Sequence, residues 1–115
     1  MPVRIGGRRI AVTVDEEDHA HGAAEMADRR GRPHAAMWVL DVTDFNNIKP
    51  LSIFTVSELD SPWSRAAPGR FGAHQCLERM KKDTLVYCTW FAGGLRIVDL
   101  ADPETPNEVG YFIPE

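Results

Sequence analysis

The stretch Gly72–Glu115, GAHQCLERMKKDTLVYCTWFAGGLRIVDLADPETPNEVGYFIPE, decides how the whole chain is read. Four segments within it, GAHQCLE, TLVYCTWF, LRIVDLA and EVGYFI, are rich in β-branched, aromatic and aliphatic residues, the types that fit a pleated, half-buried surface. Turn-forming residues separate them: Lys81-Lys82-Asp83, Gly93-Gly94 and Asp102-Pro103-Glu104-Thr105-Pro106. This spacing predicts four short antiparallel strands joined by tight links.

The second half of that stretch occurs again upstream. Met37-Trp38-Val39-Leu40-Asp41-Val42-Thr43-Asp44, a polar link, Pro50 and then Leu51-Ser52-Ile53-Phe54 matches Leu95-Arg96-Ile97-Val98-Asp99-Leu100-Ala101-Asp102, a polar link, Pro106 and then Asn107-Glu108-Val109-Gly110-Tyr111. The preceding strands correspond too, Arg9–Val14 standing to the first copy as Thr84–Thr89 stands to the second. Self-similarity over tens of residues marks a repeat architecture, and four-stranded antiparallel units in series are the blades of a β-propeller. The expected fold is all-β, built of antiparallel four-stranded β-propeller-type blades, about one and three-quarters of them. Residues 1–56 form an incomplete first blade with a loop insertion at 16–34, 57–71 the connection between blades, and 72–115 a complete second blade.

At these residues the chain resembles the LVIVD-repeat family of bacterial β-propellers, named for a strand written here as LRIVD and WVLDV. DPETP followed by NEVGYF, RFGAHQ and the join WFAGGLRIVD also resemble that family's pattern, and the likeness covers nearly all of the chain outside Glu16–Arg32. The family is defined by its blades and has no single established activity as a class. Its members are several times longer than this chain. In it, and in propellers resembling selenium-binding protein and methanethiol oxidase, His-containing inner strands recur around the axis. The resemblance therefore implies that His74 supplies one ligand of a divalent transition metal whose other ligands come from neighbouring blades. The plainer alternative is a hydrogen-bonded, channel-lining histidine with Gln75 beside it.

With 43% hydrophobic and 26% charged residues, the 115-residue chain has the composition of one globular domain. A formal charge of −4 with both signs interspersed offers no basic face for nucleic acid and no polybasic membrane anchor, so neither partner is expected. The expected partners are other blades of a longer chain or identical chains in a homo-oligomer, because a blade buries its faces only against its neighbours; the alternative is that the two sheets fold onto each other as a small sandwich. MPVRIGGRRIAVTV lacks the apolar core of a signal peptide, which makes the cytoplasm the expected compartment.

Within the acidic, Ala- and Gly-rich insertion, His19, His21 and Glu25 have an HxHxxxE spacing that resembles the first metal motif of cupins. Neutral imidazoles and a carboxylate suit a divalent transition metal. The segment has no strand period, however, and the glycine and proline brackets of the cupin pattern are missing, so a solvated loop on the surface is the simpler reading. Asp41 and Asp99 hold the same place in both copies, which points to carboxylates accepting backbone amides in the adjoining turn. Asn46-Asn47 in the first link suits left-handed backbone. Trp63, in the long connection, reads as a packing anchor or a ligand-contacting aromatic. Ser57, Ser61 and Ser64 lack a nucleophile-elbow context. A hairpin centred on Lys82 brings Cys76 opposite Cys88 as neighbouring buried thiols. Trp90 and Phe91 supply apolar area for packing one blade on the next.

Two function classes follow. One is a binding or scaffold module without a catalytic set; the other is a metal-dependent oxidoreductase or hydrolase using His74 or the His19/His21/Glu25 cluster.

Overall fold

The computed structural model describes residues 3–15, 35–56, 71–79 and 84–114. Among these there is no helix, and eight strands form two antiparallel four-stranded sheets. The first sheet contains β1 (Val3–Ile5), β2 (Arg8–Val14), β3 (Met37–Asp41) and β4 (Lys49–Phe54), in that order. The second contains β5 (Phe71–Cys76), β6 (Leu85–Phe91), β7 (Leu95–Asp99) and β8 (Asn107–Phe112), again in chain order.

The first sheet therefore has one strand more than the sequence reading assigned to it. Val3-Arg4-Ile5 is short, but it is closed onto Arg8–Ile10 by Gly6-Gly7 at φ 58° and 80°. Two consecutive positive-φ glycines are the requirement of a two-residue hairpin whose twist matches its strands.

The repeat seen in the sequence is reproduced in the pairing of the second and third strands, but the fourth strands are offset from the match read there: Pro50 lies opposite Leu40 within β4, whereas Glu108 lies opposite Val98 and Pro106 precedes β8. β2 meets β3 with Ile10 opposite Asp41, Val12 opposite Val39 and Val14 opposite Met37. β6 meets β7 with Leu85 opposite Asp99, Tyr87 opposite Ile97 and Thr89 opposite Leu95. Met37 pairs with Phe54 as Leu95 pairs with Phe112, and a β-bulge falls between Val39 and Leu40 in one copy and between Ile97 and Val98 in the other. Val39 is thus the counterpart of Ile97, Leu40 of Val98 and Phe54 of Phe112.

Both turns after the repeated strand are built on aspartate. The Thr43 amide donates to Asp41 Oδ1 and the Ala101 amide to Asp99 Oδ1, each at 2.9 Å. A residue triplet later, the Asn46 and Glu104 amides donate to Asp44 and Asp102 at 2.9 and 3.0 Å. Side-chain acceptors satisfy amides that the ladder has released, which is why aspartate recurs in register. The Thr43 hydroxyl and amide hold the Asp41 carboxyl below its usual value, and the Thr105 hydroxyl with the Glu104 amide does the same for Asp102. Neither Asn46 nor Asn47 is left-handed. The Asp44 carboxylate and carbonyl hold the first link in an ordinary turn, and among the described residues positive φ at non-glycine positions falls instead on Ala35 and Phe91.

Burial does not follow the repeat. Met37 and Val39 are buried in the first sheet, but in the second the buried residues are Arg96 and Val98. The counterparts Leu95 and Ile97 are only half-buried, as are Trp38 and Leu40. Ile10, Met37 and Val39 of the first sheet form one core with Val86, Cys88, Trp90 and Val98 of the second. Phe54 meets the Trp90 ring edge-on across it at 5.6 Å. The sheets stack front to back, each burying a different face of the same repeat. Ser52 Oγ donates to Pro103 O at 2.6 Å and the Ala73 amide to Ala35 O at 3.0 Å, tying the stack at two further points.

Gly94 ends the hairpin between β6 and β7 at φ 75°, its carbonyl accepting the Trp90 amide. A Cβ there would overlap the carbonyl oxygen of Phe112. Gly94→Ala is expected to cost about 1–2 kcal/mol from the left-handed backbone alone, with the displacement of β8 added. Urea unfolding followed by circular dichroism measures it, and a midpoint equal to wild type would contradict it.

Candidate functional site

The first strands are where the two copies differ. β1 lies beside the start of β2, whereas β5 lies beside the far end of β6, with Cys76 opposite Cys88 and Gln75 opposite Thr89. Between Phe71 and Gln75 the register slips, and Gly72 takes φ 142° within the slip. Such an irregularity re-aims neighbouring side chains. Ala73 is turned into the core, and His74 stands exposed on the other side, its ring 4.6 Å from that of Phe91 and tilted by 34°. Phe91 is itself left-handed at φ 46°, a conformation that an L-residue adopts only when its surroundings enforce it. The hydrogen bonds Gly93 N–H to Trp90 O and Gly94 N–H to Phe91 O provide that constraint.

His74 borders an open cleft of about 780 Å³ on the outer face of the second sheet. Tyr87 and Leu95 contribute its apolar surface, with Gln75, Glu78 and Arg79 around them. The cleft thus offers an imidazole, an amide, a carboxylate and a guanidinium around an aromatic and an aliphatic side chain. Among the described residues no three His, Cys, Asp or Glu side chains converge to hold a metal ion, so His74 brings a single imidazole to any such centre. His19, His21 and Glu25 lie outside the described residues, as do Trp63, Ser57, Ser61 and Ser64.

Cys76 and Cys88 face each other as their spacing implied, Sγ to Sγ 2.6 Å, with Cys88 buried and Cys76 partly so; both are free thiols. The contact with Cys88, followed by burial, pushes the Cys76 thiol above its usual value. A raised thiol is a poor nucleophile at neutral pH. Because its folded pKa is raised, this group's stabilisation is complete below the unfolded value and is lost as pH rises beyond it. Folding stability should therefore fall above roughly pH 8.5, the pKa of a free cysteine. Cys76→Ser should flatten that fall in urea titrations between neutral and alkaline pH. An equal slope in the variant would refute the assignment.

Arg96 was not singled out in the sequence, yet it is the buried charge of the described residues. Its Nε donates to Gly93 O at 2.8 Å, its Nη1 to Glu108 Oε1 at 3.1 Å, and its guanidinium lies 5.1 Å from the Tyr111 ring centre. The counterpart Trp38, on the open face of the first sheet, donates from Nε1 to Asp15 Oδ2 at 2.7 Å. Arginine at a tryptophan position gave a sequence-level hint that the two copies do not bury the same face. Compared with protein-family models, curated proteins and solved structures, the chain finds no match.

Proposed function

We propose that the chain is a pair of adjacent β-propeller-type blades of the LVIVD kind and serves as a binding or scaffold module without a catalytic set of its own. One observation carries this reading: equivalent strands bury opposite faces. A two-fold sandwich buries the same positions in both halves. Stacking front to back instead repeats a single step, as successive blades of a propeller do. It also leaves an apolar face at each end for further blades of a longer chain or for identical chains. The cleft beside His74 supports a binding role, with polar groups of both charges around an apolar surface.

The alternative, a metal-dependent enzyme, needs ligands from neighbouring blades to join His74, or a centre formed by His19, His21 and Glu25. Elemental analysis of untagged protein separates the two readings. The module reading expects only substoichiometric transition metal, unchanged in His74→Ala and His19→Ala. A near-stoichiometric metal lost in either variant would replace it with the enzyme reading.

A further inference from the structure

Within the chain, the first sheet presents Met37, Val39 and Phe54 to the second, which answers with Val86, Trp90 and Val98. The repeat places counterparts of several of these on open faces, although Ala11 stands at the place of Val86 and Asp15 at that of Trp90. Leu95, Ile97 and Phe112 on the second sheet correspond to Met37, Val39 and Phe54; Leu40 on the first sheet corresponds to Val98. Neither outer face is polar. Phe112 is 64% exposed and lies opposite Leu95, while Ile53 is 49% exposed and lies opposite Trp38. The molecule thus carries, unfilled, an apolar counterpart to each side of its internal interface, with Trp38, Leu40 and Ile53 in place of the side that Trp90 dominates.

We infer that the outer face of the second sheet, centred on Leu95, Ile97 and Phe112, binds the outer face of the first sheet of a second copy, centred on Trp38, Leu40 and Ile53. The inference rests on the front-to-back stacking proposed above and adds the partner to it. The contact is heterologous, so each copy uses both faces and the assembly grows until it closes. Each chain brings two sheets, and propellers have about 4–8 blades, so closure falls at roughly two to four copies. Docking would cover the cleft beside His74 in part, since Tyr87 and Leu95 belong to both.

The full untagged chain is followed by light scattering on size exclusion and by sedimentation over a range of concentrations. Wild type is expected to assemble. Ile53→Lys and Phe112→Lys, both at exposed positions, should each lose the oligomer while keeping the wild-type circular dichroism spectrum, with a urea midpoint equal to that of wild type diluted below its assembly range. Each variant retains the face that the other has lost. An equimolar mixture should therefore recover a one-to-one dimer that grows no further, which a two-fold contact would not produce. A wild type that stays monomeric throughout, a variant that keeps the wild-type size, or a mixture that stays monomeric would overturn the docking. The stacking itself is judged separately, by comparing the stability of buried and open counterparts within one chain. A monomeric wild type in which those counterparts still differ would end the docking and leave the stacking in place.

Discussion

Val39→Asp is expected to unfold the chain, and Ile97→Asp, the same substitution at its counterpart in the repeat, to leave it folded. Val39 has no exposed surface and sits between the sheets. A carboxylate placed there loses its hydration without gaining a partner, a cost of several kcal/mol against a total stability of about 5–15 kcal/mol. Ile97 faces outward and is half-buried, so its variant can turn the new charge to water for about 1–2 kcal/mol. The second pair reverses the order: Val98→Asp should unfold, because Val98 is fully buried, whereas its counterpart Leu40→Asp should not. Urea unfolding of the four variants at low protein concentration decides the matter. In a two-fold sandwich the losses within each pair would match, and equal losses would end the front-to-back reading.

That asymmetry marks the limit of what the residues disclose. The repeat was legible because its signals are local: aspartate in register, a proline after the link, and strands bounded by turn residues. The paired aspartates accept turn amides as their positions implied. Which face is buried was not legible, since WVLDV and RIVDL place apolar residues on both sides of the strand. Only the packing of one sheet on the other separates Val39 from Ile97. Val3–Ile5 escaped notice for a different reason: three residues are too few for alternation to register, although the Gly6-Gly7 pair after them was a usable hairpin signal. At the candidate site, the facing cysteines could be named from spacing, and His74 from the resemblance of its strand to the inner strand of a blade. The cleft could not, because it depends on the slip between Phe71 and Gln75, and a non-uniform register cannot be counted from a turn. Arg96 was passed over because a charged residue within a strand reads as solvent-facing until a carboxylate and a carbonyl are seen to meet it.

Trp90 offers the second large effect, and its chemistry allows a sharper test than truncation alone. It is 1% exposed, the largest of the fully buried side chains, and it meets Phe54 across the two sheets. Trp90→Ala removes most of a ring from the only core the described residues share, and is expected to cost about 3–5 kcal/mol. Among the described residues, however, the indole Nε1 meets no acceptor. A buried donor without a partner costs about 1–3 kcal/mol. Trp90→Phe deletes that donor while keeping an aromatic edge for Phe54, so its loss of buried area is offset by the polar group removed. The phenylalanine variant should therefore lie within about 1.5 kcal/mol of wild type, the range of a tolerated apolar exchange, while the alanine variant lies far below. If Trp90→Phe proved as damaging as Trp90→Ala, the indole N–H would have to be satisfied in solution, and shape alone would not explain why tryptophan stands between the sheets.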